Sequence, residues 1–187
     1  MLIAVALRPQ GPQVLFTRRA EDLPDHAGQI SFPGGRFEPG EDALACALRE
    51  AREETGIDPG AVEVLGELPR YRTITSYDVV PVVGLFTPRA PLRADPAEVS
   101  EIFEVPLAHL MDDANWQRRL IGEGASARGY FAVAYEPGAA PAPASGHPGD
   151  RTARRYFIWG ATAAMLRNLY RFLQGGSVQS DAAPPRG

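Results

Sequence analysis

The sequence predicts an α/β protein, and three features carry that prediction. Short runs with apolar alternation, such as residues 2–7 and 13–17, have the length and period of strands. Residues 42–55 contain no Gly or Pro and are rich in helix formers, which predicts a helix of about four turns. A last apolar run, residues 156–163, reads as a strand passing into a helix through Leu173.

Taken in chain order, the first two strands are joined by a turn through Pro9-Gln-Gly-Pro12. Residues 29–32 form a short strand before Gly34-Gly35, with Arg36-Phe37 as its extension. Pro39-Gly40 is a turn signal, Glu41-Asp42 put negative charge at the start of the helix, and Gly56 supplies a left-handed cap at its end. Residues 62–68 and 77–86 read as strands, 107–111 as a short helix and 127–135 as a strand. Trp159 is expected to pack in the core or at the start of the last helix. Residues 1–174 are expected to form one domain. Within it, residues 137–150, rich in Pro, Ala and Gly, read as a flexible loop holding an inert His147; residues 175–187 read as a disordered tail.

Composition narrows the function classes. With 187 residues and 44% hydrophobic content, a single core is expected. A net charge of −4 and a pI near 5.4 argue against a broad basic surface for nucleic acid. The single Cys46 excludes an intrachain disulfide framework and fits a reducing, cytoplasmic setting. No run of about 18 apolar residues predicts a membrane span, and the opening Met-Leu-Ile-Ala-Val-Ala-Leu lacks the charged start of a signal peptide.

The chemistry is concentrated in residues 35–57, GRFEPGEDALACALREAREETGI. At about 100° per residue, Leu44, Leu48, Ala51 and Thr55 gather on one stripe, read as the packing face. Glu50, Glu53 and Glu54 lie on the other side at i, i+3 and i+4, where Ala43, Cys46 and Ala47 leave room for a ligand to approach. Three carboxylates within one turn repel one another on a wet helix. A solvated acidic face is the ordinary reading of such a run, and a hard-cation site is the functional one. Clustered carboxylate oxygens suit Mg²⁺ or Mn²⁺, which keep waters and bridge to phosphates.

The spacing Gly35, Glu41, Arg49, Glu50, Ala51, Glu53, Glu54, Gly56, Ile57 fits Gly-x5-Glu-x7-Arg-Glu-U-x-Glu-Glu-x-Gly-U without a gap, with U aliphatic. Seven fixed positions coincide by chance roughly once in 10⁸ starts, so the chain resembles a Nudix hydrolase. The resemblance implies an α/β/α sandwich with a mixed central sheet and metal-dependent hydrolysis of a phosphoanhydride. It implies Glu50 and Glu54 as principal metal ligands, Glu53 as an assisting one, and the Gly34 carbonyl as another. Arg49 would hold the glutamates in place with Glu41. Nudix enzymes often add a glutamate from a later loop as ligand or base, which points to Glu98, with Glu53 as the competing base.

Residues 15–35, LFTRRAEDLPDHAGQISFPGG, are similar to the signature that coenzyme A pyrophosphatases carry just upstream of the box. Leu15, Thr17, Arg19, Ala20, Gly28, Phe32, Pro33, Gly34 and Gly35 fall in place; Phe16 replaces a Leu and Pro24 replaces an Arg. Residues 73–84, 97–107 and 156–163 resemble the same subfamily. Its members commonly carry a segment ahead of the first strand, and this sequence opens directly in it. The implied partner is a small molecule, coenzyme A or a derivative, and the protein is a possible homodimer. Arg18, Arg19, His26, Gly28, Gly35, Arg70 and Arg72 are the candidate substrate contacts, and Tyr71 or Tyr77 a candidate stack for adenine. Two rivals stay open: a Nudix hydrolase of another diphosphate, such as ADP-ribose or a nucleoside triphosphate, and a Nudix-fold binding module without turnover.

Overall fold

A computed structural model of the chain describes residues 1–23, 26–73, 76–121, 128–138 and 155–175. The last 12 residues of the expected 137–150 loop, the tail from residue 176 onward, and Pro24 lie outside the described residues.

Strand β1 (Leu2–Arg8) is the centre of the main sheet. It runs antiparallel to β2 (Gly11–Arg19) and parallel to β7 (Val82–Phe86), so the sheet is mixed. The order across the sheet is β3-β2-β1-β7-β4, where β3 is Ile30–Ser31 and β4 is Val62–Glu67. Strand β8 (Val99–Pro106) pairs with β2 from Gln13 to Arg19.

Period-two alternation on β1 splits the core. Leu2, Ala4 and Ala6 pack with Leu15, Val82, Phe86 and helix α1 (Ala43–Thr55) on one face. Ile3 and Val5 pack with Val14, Phe16, Phe103 and helix α3 (Gly160–Leu173) on the other. Two helices on opposite faces of a mixed sheet make the expected α/β/α sandwich. Short helix α2 (Leu107–Leu110) follows β8. Strands β9 (Trp116–Ile121), β10 (Arg128–Tyr135) and β11 (Tyr156–Ile158) form a second, antiparallel sheet that joins the α3 side of the core. Among the described residues no helix is long and apolar enough to cross a membrane.

Several sequence expectations need correction. Arg36-Phe37 is not strand; β3 ends at Ser31, two residues before Pro33, which has no N–H to continue a ladder. The run 77–86 is not one strand. Asp78–Val79 (β6) pairs with Tyr71–Arg72 (β5), and Pro81, with no N–H to donate, separates that hairpin from β7. Strand β9 was not anticipated, since WQRRLI lacks clean alternation. Of the two places expected for Trp159, the structure has the helix entry: it is the N-cap of α3, 42% exposed, with its ring 6.0 Å from that of Tyr130.

The predicted helix stripe does pack on the sheet, with Ala51 and Thr55 fully buried and Leu44 and Leu48 partly so, but the buried face is wider than expected and takes in Cys46 and Ala47 as well. Of the residues read as leaving room for a ligand, Ala47 packs in one cluster with Ala4 and Ala6 of β1, Ala43 lies at its margin, and Cys46 is buried against the Gly35 carbonyl. Small side chains on both surfaces set a close approach, and they turn Glu54 inward with them. Overpacking this contact is the test. Ala51→Leu should lower the unfolding free energy by about 1–3 kcal/mol, read as a shift in the urea midpoint; an unchanged midpoint would mean the helix does not rest on these alanines.

Candidate active site

Helix α1 is fixed at both ends. Asp42 Oδ1 accepts from the Ala45 N–H at 2.7 Å, and Gly56, at φ 72°, donates its N–H to the Arg52 carbonyl. The turn before it is shaped by two glycines. Gly34 has φ 153° and backs directly onto Met1, and at Gly35 a Cβ would run into the Glu50 carboxylate. Only glycine lets the backbone lie this close to the acidic side chains.

Arg49 is the organiser of the acidic residues. Its guanidinium makes a two-pronged bond to Glu41 at 2.7 and 3.0 Å, and donates to Glu50 Oε1 at 3.0 Å, Glu53 Oε2 at 2.9 Å and the Arg36 carbonyl at 3.0 Å. The Arg49 bond, helped by the Glu38 N–H, pulls the Glu41 carboxyl down to about 2. Arg49 in turn is held charged well beyond its usual range.

Oxygens of Glu50, Glu54 and Glu98 all lie within 4.8 Å of one another. Glu54 is 4% exposed; burial first, then the Glu50 and Glu98 charges, push its carboxyl up to about 8, against a Gly34 N–H bond and the charge of Arg19. Burial also raises Glu50, with Arg49 opposing. Two crowded, water-poor carboxylates beside a solvent-facing third are an unfavourable arrangement for the protein alone. A divalent cation would relieve it, and the all-oxygen donor set fits a hard ion.

Glu98 reaches this cluster because its loop is latched to the end of α1. The Arg93 and Asp95 N–H groups donate to the Thr55 and Glu54 carbonyls at 3.0 and 3.2 Å, using acceptors a helix end leaves over. Asp95 then forms a turn: its side chain accepts from Ala97, and its carbonyl from Glu98 and Val99. The Ala20 N–H, at the end of β2, donates to the Glu98 carbonyl. Asp95-Pro96 was the available sequence signal for this turn, and it went unused.

The other candidate residues scatter. Glu53, 57% exposed, turns toward Arg49 and is not in the cluster. The Gly34 amide is directed at Glu54. Arg18 and Arg19, neighbours on a strand, turn to opposite faces. Arg19 is near enough for its charge to act on Glu54. Arg18 sits over the Tyr156 ring and 3.4 Å from Glu101 on the α3 side, where Tyr156 also donates to Glu101. His26, at φ 61°, bonds to Gln29 at the surface, and Gly28 lies against the Glu21 carboxylate. Arg70 is exposed, and Arg72 is paired with Asp78 at 2.8 and 2.9 Å. Sequence reasoning missed Arg36, whose carbonyl holds Arg49 and whose guanidinium reaches Tyr77.

Residues 2–123 match the family model described as NUDIX domain. Over 170 residues the chain is 39% identical to the protein called "Uncharacterized Nudix hydrolase NudL" of Escherichia coli (strain K12), covering 90% of this chain and 79% of that one. The protein of the same name from Salmonella newport (strain SL254) gives the same figures. Among solved structures, an Ap4A hydrolase of C. elegans in a binary complex superposes with a TM-score of 0.50 at 17% identity, over 57% of this chain and 78% of that one. At that identity the likeness speaks to the fold alone.

The raised Glu54 makes a pH prediction for metal-free protein. The folded state keeps this proton up to about pH 8, whereas an ordinary glutamate releases it near 4.5. Between those values the folded state binds more protons than the unfolded chain, so stability falls as pH rises. In EDTA the melting temperature should therefore climb as pH is lowered from 8.5 to about 5.5, and Glu54→Gln or added Mg²⁺ should flatten the slope. Equal slopes for wild type and variant in EDTA would remove Glu54 as the cause.

Proposed function

The chain belongs to the Nudix family, and from that premise we propose that it hydrolyses the diphosphate of coenzyme A or a derivative, with Mg²⁺ or Mn²⁺ as cofactor. The products are adenosine 3′,5′-bisphosphate and 4′-phosphopantetheine or its acylated form. Family membership makes the chain a pyrophosphohydrolase acting on phosphoanhydride bonds; its substrate is the new part of the reading. The observation that carries hydrolysis is the convergence of Glu50, Glu54 and Glu98. The substrate choice rests on the upstream signature, in which nine positions from Leu15 to Gly35 fall in place.

Glu50, Glu54 and Glu98 are the residues to hold a divalent ion. Such an ion, when bound, neutralises diphosphate charge and lowers the pKa of an attacking water. The chain's own groups do the rest. Arg49 keeps Glu50 oriented and Glu53 turned aside. Arg19, whose charge is felt at Glu54, offers a cation to the diphosphate. Glu98 is the cluster member most open to solvent, so it is the better placed carboxylate to accept the proton of the attacking water; Glu53 already serves Arg49. A carboxylate base must be ionised, and a neighbouring cation favours that form.

One observation favours a second reading. Pro24 stands where the signature has an arginine, which removes a cation from the coenzyme A segment and leaves room for another diphosphate, such as ADP-ribose.

Purified protein with millimolar Mg²⁺ and coenzyme A, ADP-ribose or dGTP in separate reactions is the direct test, read by product analysis. Selective release of adenosine 3′,5′-bisphosphate from coenzyme A supports the first reading; preferential cleavage of ADP-ribose or dGTP replaces it. Glu98→Gln should lower kcat more than it changes KM, and Glu54→Gln should cost orders of magnitude in turnover. Normal turnover in both variants would remove the cluster from the chemistry. Pro24→Arg should lower KM for coenzyme A if that position contributes a substrate contact.

A further inference from the structure

The ladder between β2 and β8 breaks register once, beside the carboxylate cluster. Up to Arg18 the two strands pair continuously, from Gln13 opposite Pro106 to Arg18 opposite Glu101. The next residue, Arg19, stands opposite Val99, so Ser100 is an extra residue with no partner across the ladder. The Ala20 N–H donates to the Glu98 carbonyl at 2.9 Å, which continues the shifted register. Had the first register run on, Val99 would face Ala20, and Glu98 would sit about 3.4 Å from its present station.

A bulge of this kind disrupts the ladder, and the Ser100 side chain supplies a bond in its place. The hydroxyl lies 3.2 Å from the Arg18 carbonyl and 3.3 Å from the Arg19 carbonyl, spanning the two residues between which the register changes. The Arg19 carbonyl also accepts the Gly28 N–H at 3.2 Å. An exposed serine is ordinarily replaceable surface, and Ser100 is exposed. Its place is what distinguishes it: Glu98 is two residues away, and Val99 between them is buried. The other side of the Glu98 loop is latched to α1 through Arg93 and Asp95, and Ser100 closes the side facing β2. Arg19, Ala20 and Gly28, three positions of the upstream signature, meet this arrangement through their backbone.

We propose that Ser100 is a positioning residue for Glu98: by holding the bulge, it keeps that carboxylate within reach of Glu50 and Glu54. A bulge re-aims a side chain without touching it. The signature segment thereby acts on the carboxylate site through its backbone, whatever its side chains contact. The proposal rests on the reading of Glu50, Glu54 and Glu98 as the metal-holding cluster of a diphosphate hydrolase.

The test uses the full chain and two readouts. One is Mn²⁺ affinity, from the electron paramagnetic resonance of the free ion; the other is kcat and KM on whichever diphosphate the wild type hydrolyses. Ser100→Ala should weaken Mn²⁺ binding and, at saturating metal, lower kcat roughly three- to tenfold with KM little changed. Ser100→Thr, which keeps a hydroxyl, should restore most of both. In a Glu98→Gln background, Ser100→Ala should cost nothing further. The same cost in both backgrounds, or a lower melting temperature with both readouts unchanged, marks a serine that only stabilises the strand and overturns the proposal. So does a Glu98→Gln variant that changes neither readout, since nothing is then left to position. If the wild type binds Mn²⁺ but cleaves no diphosphate, the hydrolase reading fails and the Mn²⁺ measurements alone decide. If hydrolysis proceeds and the two substitutions act additively, the proposal fails and the hydrolase reading stands. A wild type that binds no Mn²⁺ ends both.

Discussion

Arg49 is the tie on which the acidic site depends. Five carboxylates, Glu41, Glu50, Glu53, Glu54 and Glu98, converge on one end of the molecule, and this one guanidinium bonds to three of them and to the Arg36 carbonyl. A guanidinium suits the task because its fixed fork serves several acceptors at once and stays charged throughout. A lysine would supply the charge but not the geometry. By binding Glu41, next to the N-cap Asp42, and the Arg36 carbonyl, Arg49 also couples the charge arrangement to the helix start and to the turn that carries Gly34 and Gly35.

Close packing supplies the second constraint. Ala47 and Ala51 meet Leu2, Ala4 and Ala6, so α1 lies low on the sheet and Glu54 cannot escape to solvent. A burial that is costly for a lone carboxylate becomes useful once a cation is expected there. The same closeness brings the carbonyl end of the helix within reach of residues 93–95, and their latch delivers Glu98. Packing, helix end and loop thus act in sequence to assemble three side chains from two distant segments.

The legible part of this molecule was the local part. Caps, turn glycines and the glutamate spacing of α1 are written within a few residues of one another, and the structure follows them. Glu98 was legible as a candidate, but its arrival beside Glu54 depends on hydrogen bonds between segments some 40 residues apart in sequence. The packing stripe of α1 was legible in Ala51 and Thr55, which are fully buried; what the sequence did not show is that the buried face widens to Cys46, Ala47 and Glu54, because small residues let the helix press onto the sheet. Arg18 and Arg19 were both candidate substrate contacts, yet strand alternation sends them to opposite faces. Strand β9 escaped because its ladder to β10, and not its own pattern, makes it a strand.

The latch between α1 and residues 93–95 has a consequence for how such a chain can diversify. Strand β7 ends at Phe86, and the Arg93 N–H is already fastened to Thr55. The intervening residues 87–92 are therefore a span whose two ends are anchored independently of its length. Insertions there would add little closure entropy, since that cost grows only slowly with loop length, and would leave the register of Glu98 untouched. The fold thus offers a graft point where a lineage can lengthen the chain while the loop that delivers Glu98 is inherited unchanged.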